Sequence, residues 1–134
     1  MPRYMLDTNM ASCIVRGPSP VLAAHLVAVP MAQLCVSSVT EGELLDGLAR
    51  KPGATAVQTV VREFLKRVDV LAWDSAAAAR YGVLRAALEA AGTPLGNLDT
   101  LIAAHALGAG TVLVTNDRAF ARVPALVVEN WLAA

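Results

Sequence analysis

The sequence predicts an α/β fold, a three-layer α/β/α arrangement with a parallel sheet of about five strands between helices. Three observations lead there. Five short apolar runs alternate with segments of helix length along the chain. Each run is continuously apolar rather than alternating, which is the pattern of strands buried on both faces. The length of 134 residues suits one compact domain, spanning 1–134, whose core needs neither disulfides nor a structural metal.

The first strand candidate, 3–6, ends abruptly at Asp7-Thr8-Asn9. The stretch from Gly17 to Thr40 carries no charge, but Pro18, Pro20, Pro30, His25 and Gln33 interrupt it. It therefore reads as a short helix, a turn and a buried second strand at 33–37, not as one long membrane helix. A helix over 39–50 follows, with Leu44, Leu45 and Leu48 on one face and Lys51-Pro52-Gly53 ending it. The next helix, 55–67, places Val57, Val60, Val61, Phe64 and Leu65 at helical spacing. A third strand, 68–73, leads to Asp74-Ser75, which cap an Ala-rich helix running to 91 and stopped by Gly92-Thr93-Pro94. A helix over 98–107 stops at Gly108, and strands at 111–115 and 126–129 complete the sheet.

Eleven acidic residues balance eleven basic ones and only 16% of the chain is charged, so global charge is not what attracts a partner. The N-terminal segment reaches Asp7 without an apolar core, which is not a signal peptide. Cys13 and Cys35 lack CxxC spacing and read as buried thiols in a reducing, cytoplasmic setting. No Gly-x-Ser-x-Gly, Walker A or dinucleotide fingerprint is present. His25 and His105 read as packing residues; His105 sits in Ala-Ala-His-Ala and suits a bond within its helix.

In an open parallel sheet, ligands bind at the carboxyl ends of the strands. Four acids fall there: Asp7 after the first strand, Glu43 in the helix after the second, Asp99 at the start of the helix before the fourth, and Asp117 just after the fourth. Each has a local explanation. Asp7 can cap a helix, Thr40-Glu41-Gly42-Glu43 fits a capping box with Thr40 as cap, Asp99 suits a helix dipole, and Asn116-Asp117 suits a turn. None of these roles requires an acid at all four positions. Four converging carboxylates repel one another, and a hard divalent cation such as Mg²⁺ or Mn²⁺ relieves that repulsion.

The motifs resemble those of PIN-domain proteins, particularly VapC-type toxins of bacterial toxin–antitoxin pairs. Tyr4-Met5-Leu6-Asp7-Thr8-Asn9 is similar to the family's opening, and Ser37-Ser38-Val39-Thr40-Glu41-Gly42-Glu43-Leu44-Leu45 to its second motif. The third and most specific is Gly96-Asn97-Leu98-Asp99-Thr100-Leu101-Ile102-Ala103-Ala104-His105. Leu113-Val114-Thr115-Asn116-Asp117-Arg118-Ala119-Phe120 and Glu129-Asn130-Trp131 resemble the C-terminal segment. The resemblance runs from end to end.

It implies a Mg²⁺- or Mn²⁺-dependent endoribonuclease, a hydrolase of phosphodiester bonds, restrained by a cognate VapB-like antitoxin and assembled as a homodimer. Asp7 and Asp99 would be metal ligands, Glu43 would hold a bound water or second ion, and Asp117 would complete the site. Thr8, Asn9 and Thr115 would orient these carboxylates. Metal-assisted in-line attack by water would leave 5′-phosphate and 3′-hydroxyl ends, and tRNA or rRNA with an exposed loop would be the substrate. Arg118, beside Asp117, is the favoured phosphate contact; Arg50, Lys51, Arg62, Lys66 and Arg67 form the densest basic region but suit solvated helix faces. The chain departs from the family at Asp46 and Ala119, and Glu41 is a rival to Glu43. A haloacid-dehalogenase-type phosphatase needs a second Asp where Asn9 stands. The competing reading is a non-catalytic PIN-like module that binds RNA or protein.

Overall fold

A computed structural model describes residues 2–133; Met1 and Ala134, the ends of the expected domain, lie outside the described residues. Five strands form one sheet in the order β3-β2-β1-β4-β5: β1 is Tyr4–Leu6, β2 Leu34–Ser37, β3 Asp69–Leu71, β4 Val112–Val114 and β5 Val128–Glu129. Every neighbouring pair is parallel. The helices are α1 (Thr8–Val15), α2 (Pro20–Ala28), α3 (Ser38–Ala49), α4 (Thr55–Arg67), α5 (Ser75–Ala90) and α6 (Asn97–Ala109).

The apolar runs are explained by a core on each side of the sheet. Met5, Cys35 and Leu113 pack against Leu84 and Leu88 of α5 and Ile102 to Ala104 of α6. Their neighbours Leu6, Leu34, Val36 and Val114 pack on the opposite face with Met10 of α1, Leu22 of α2 and Trp131. Successive strand residues point to opposite faces, so a three-layer fold needs apolar side chains at both parities. Burial pushes the Cys35 thiol up to about 11, so it stays a thiol, while Cys13 is only half-buried. Trp131 is buried between Tyr4 and His25, whose ring stacks on it at 5.2 Å. His25 is thereby a packing residue. No single helix among the described residues is long and apolar enough to cross a membrane, and α1 and α2 are set at 102°.

Three expectations are corrected. Thr40 is not the cap of α3; the helix begins two residues earlier, and the Ser37 hydroxyl accepts from the Val39 amide instead. Helix α6 does not stop at Gly108 but continues to Ala109, and Gly110 terminates it in the left-handed conformation at φ 67°. Gly108 serves contact instead: a Cβ there would meet the Ala76 backbone at 3.1 Å. Lastly, Val57 and Val60 share the apolar spacing of α4 but are exposed, with Val61 taking the core position.

Two stability changes follow. Gly108→Ala improves helix propensity by about 1 kcal/mol but forces α5 away, at a typical overpacking cost of about 1–3 kcal/mol. Net destabilisation in urea unfolding is expected, and a variant as stable as the parent would show that α5 yields freely. Ala125 follows Pro124 in the turn closed by Leu126 N–H donating to Val123 C=O, and it holds φ 66°. Pro then positive φ is the type II pattern, which favours glycine. Ala125→Gly should therefore stabilise by up to about 1 kcal/mol; a lower unfolding midpoint would refute the strain.

Candidate active site

The parallel sheet brings the ends of β1, β2 and β4 to one edge, and the four acids lie near enough there to repel one another. Asp7 directly follows central β1 and is only 3% exposed. Its Oδ1 accepts from the Met10 amide at 2.8 Å, capping α1, and its Oδ2 accepts from the Thr115 hydroxyl at 2.5 Å. The Thr115 oxygen in turn accepts from the Asp117 amide at 3.0 Å. One hydroxyl after β4 therefore fixes Asp7 and locates Asp117, whose own carboxylate accepts from the Ala119 amide at 2.9 Å. The capping roles are real, and they fix the orientation of Asp7 and Asp117.

Glu43 lies on α3, where its Oε1 accepts from the Thr8 hydroxyl at 2.6 Å. Thr8 is also 3.1 Å from the hydroxyl of fully buried Thr40. Thr40 was legible only as a cap, yet it stands three residues before Glu43 and so on the same helix face. Glu41 shares none of these bonds, which separates it from Glu43. Asp99 lies in the first turn of α6, its Oδ2 3.9 Å from where a Cβ on Gly96 would sit. Asn9 is exposed on α1 and joins none of these bonds, and Arg118 is exposed beside Asp117.

Electrostatics ties the four together. Burial pushes the Asp7 carboxyl above its ordinary value, and Asp99 and Asp117 push it further, against the lowering effect of the Thr115 and Met10 bonds. Burial likewise raises Asp99, followed by repulsion from Asp117 and from Glu43. The edge is short of positive charge, which is the chemistry of a donor set for a hard cation. The acids nevertheless do not close up: among the described residues no group of three or more His, Cys, Asp or Glu side chains is arranged to hold a metal ion. The carboxylates of Asp7, Glu43 and Asp117 are each turned toward a hydroxyl or amide.

Comparison with known proteins places this geometry. The PIN domain family matches residues 4–126, and the chain belongs to the PIN-domain family. It is closely related to the VapC-type toxins of type II toxin–antitoxin systems. It is 36% identical over 132 residues to the tRNA(fMet)-specific endonuclease VapC of Shigella flexneri, covering 98% of this chain and 99% of that protein. It is 37% identical over 134 residues to ribonuclease VapC2 of Haemophilus influenzae, covering 98% of this chain and 100% of that protein. Among solved structures it is similar to DNA-bound VapBC from Salmonella typhimurium, with TM-score 0.91, 35% identity, and coverage of 98% of this chain and 99% of that one.

The raised Asp99 carboxyl gives a pH test. A carboxyl raised in the folded state leaves stability intact below the unfolded value near 3.8 and loses it as pH rises through the folded value. In metal-stripped protein, Asp99→Asn should therefore be more stable than the parent at pH 7, with the gain shrinking toward pH 4. Urea unfolding at both pH values decides it, and equal curves at pH 7 would contradict the repulsion.

Proposed function

We propose that this protein is the toxin component of a toxin–antitoxin pair, a single PIN domain acting as a Mg²⁺- or Mn²⁺-dependent endoribonuclease in the cytoplasm. The observation that carries the reading is the convergence of Asp7, Glu43, Asp99 and Asp117 at one sheet edge, with Asp7 and Asp99 raised by burial and by the neighbouring acids. Asp7 and Asp99 would hold the cation, with Glu43 and Asp117 completing its surroundings. Bound there, a divalent ion supplies Lewis acidity that activates water and neutralises a phosphodiester. Thr115 keeps Asp7 in place and Thr8 keeps Glu43 in place, so both acids are oriented before substrate arrives. Four acids alone would repel RNA, and exposed Arg118 offers a phosphate contact at the rim. The named tRNA(fMet) specificity of the Shigella relative makes tRNA the first substrate to try.

The decisive assay is cleavage of total RNA and purified tRNA by antitoxin-free protein in Mg²⁺, Mn²⁺ or EDTA. Discrete fragments that need the metal and fall to background in Asp99→Asn are expected. Equal cleavage by both proteins would sink the assignment. A second reading, a non-catalytic PIN-like module binding RNA or protein, draws on the lack of a ready-made metal-holding group among the described residues. RNA binding without cleavage in Mn²⁺ would favour it.

A VapB-like antitoxin is the proposed partner, alongside a second copy of the chain in a homodimer. Solved structures similar to this chain include VapBC complexes. An apolar groove of about 340 Å³ lies between α1, α2 and α4, lined by Ile14, Leu26, Val60 and Phe64 with Glu63 and Arg67 alongside. Such a groove suits an apolar helix or strap of a partner. Val60→Asp, at a position 45% exposed, should weaken antitoxin binding at least about tenfold with the unfolding curve unchanged, because docking would have to desolvate the new carboxylate. Unaltered affinity in a titration would move the interface elsewhere.

A further inference from the structure

The polar residues behind the acids form a bridge that the cleavage chemistry does not itself require. His105 of α6 is only 3% exposed, and its Nδ1 lies 2.7 Å from the Ser37 hydroxyl at the end of β2. Burial holds the His105 ring below its ordinary value, against the raising effect of Asp74 and of the Ala72 backbone just after β3. In the neutral ring with its proton on Nε2, Nδ1 is the acceptor. The Ser37 hydroxyl then donates to Nδ1 while accepting from the Val39 amide that opens α3. A second strap runs alongside. The Trp73 indole N–H donates to the Leu101 carbonyl of α6, and the Trp73 amide donates to the Ser38 hydroxyl at the start of α3.

Both straps tie α6 to the start of α3. Asp99 lies six residues before His105 on α6, and Glu43 six residues after Ser37 on α3. Each acid is thus about 9 Å of helix from the bridge, and a shift at the bridge is carried rigidly to the acids. We propose that His105 and Ser37, seconded by Trp73, are positioning residues that set the spacing between Glu43 and Asp99 and hence the affinity of the site for a divalent cation. This rests on the metal-dependent reading of the acidic edge. None of the bridging bonds goes to the four carboxylates.

The test compares the parent chain with His105→Phe, Ser37→Ala and, as a control, Ile102→Val, which trims the core face of α6 without touching the bridge. Mn²⁺ affinity is measured by calorimetric titration, RNA cleavage as separate kcat and KM, and the spacing of α3 and α6 by crystal structures. Loss of either bridge partner should weaken Mn²⁺ binding by about tenfold or more, lower kcat at subsaturating Mn²⁺ with KM for RNA held, and widen the helix spacing. Ile102→Val should leave Mn²⁺ affinity unchanged, which separates positioning from general loss of stability. Restoring the hydroxyl as Ser37→Thr should recover most of the affinity. Parent-like Mn²⁺ binding and unchanged spacing in both bridge variants would overturn the proposal. If the parent itself takes no Mn²⁺, the metal-dependent reading falls, and the bridge is then judged by helix spacing alone, widened or unchanged.

Discussion

An ionisable group at the end of a central, fully buried strand has to be met by donors or it will not be tolerated. Asp7 is met twice, by the Met10 amide and by the Thr115 hydroxyl. The first bond starts α1 on the spot, and the second ties the end of β1 to the end of β4. Those bonds lower the Asp7 carboxyl, yet burial and the neighbouring acids still leave it raised. The hydrogen bonds therefore hold the group without fully compensating its charge. Everything else at the edge follows from that residual imbalance: Asp99 and Asp117 face the same deficit of positive charge, and a cation is the simplest species to relieve it.

Much of this was legible in the sequence because parallel sheets leave a simple trace. Continuous apolar runs at Tyr4–Leu6, Leu34–Ser37 and Val112–Val114 could only be strands covered on both sides. Once the sheet was parallel, the acids after β1, β2 and β4 had to share an edge. The Asp74 cap and the end of α3 were equally clear, since Asp-Ser and Lys-Pro-Gly act locally. What could not be read were contacts between distant segments. Gly108 looked like a stop signal, but its missing Cβ serves close packing on Ala76. Thr40 looked like a cap because the capping-box pattern is local, whereas its bond to Thr8 crosses from α3 to α1. His105 suited a bond within its helix, whereas its partners are Ser37 and the backbone of Ala72.

The balance of eleven acids and eleven bases conceals a strong local asymmetry. Several cations are spent on helix surfaces in exposed pairs such as Arg50–Asp46, Lys66–Glu63 and Arg85–Glu89, which contribute little to stability. Among the described residues no such pair neutralises the four acids at the sheet edge. Net charge is a property of the whole chain, while function depends on where the uncompensated part is placed.

The strand order carries a consequence for how the molecule comes into being. β1 is central, with β2 on one side and β4 on the other, and Tyr4 pairs with Val112. During synthesis β1 therefore keeps an open edge until β4 has been made. Thr115 and Asp117 arrive with that same late strand. A nascent or prematurely ended chain has Asp7 and Glu43 but lacks the hydroxyl that fixes one and the acid that completes the set. The topology thus delays assembly of the acidic edge until β4 and the residues just after it have been made.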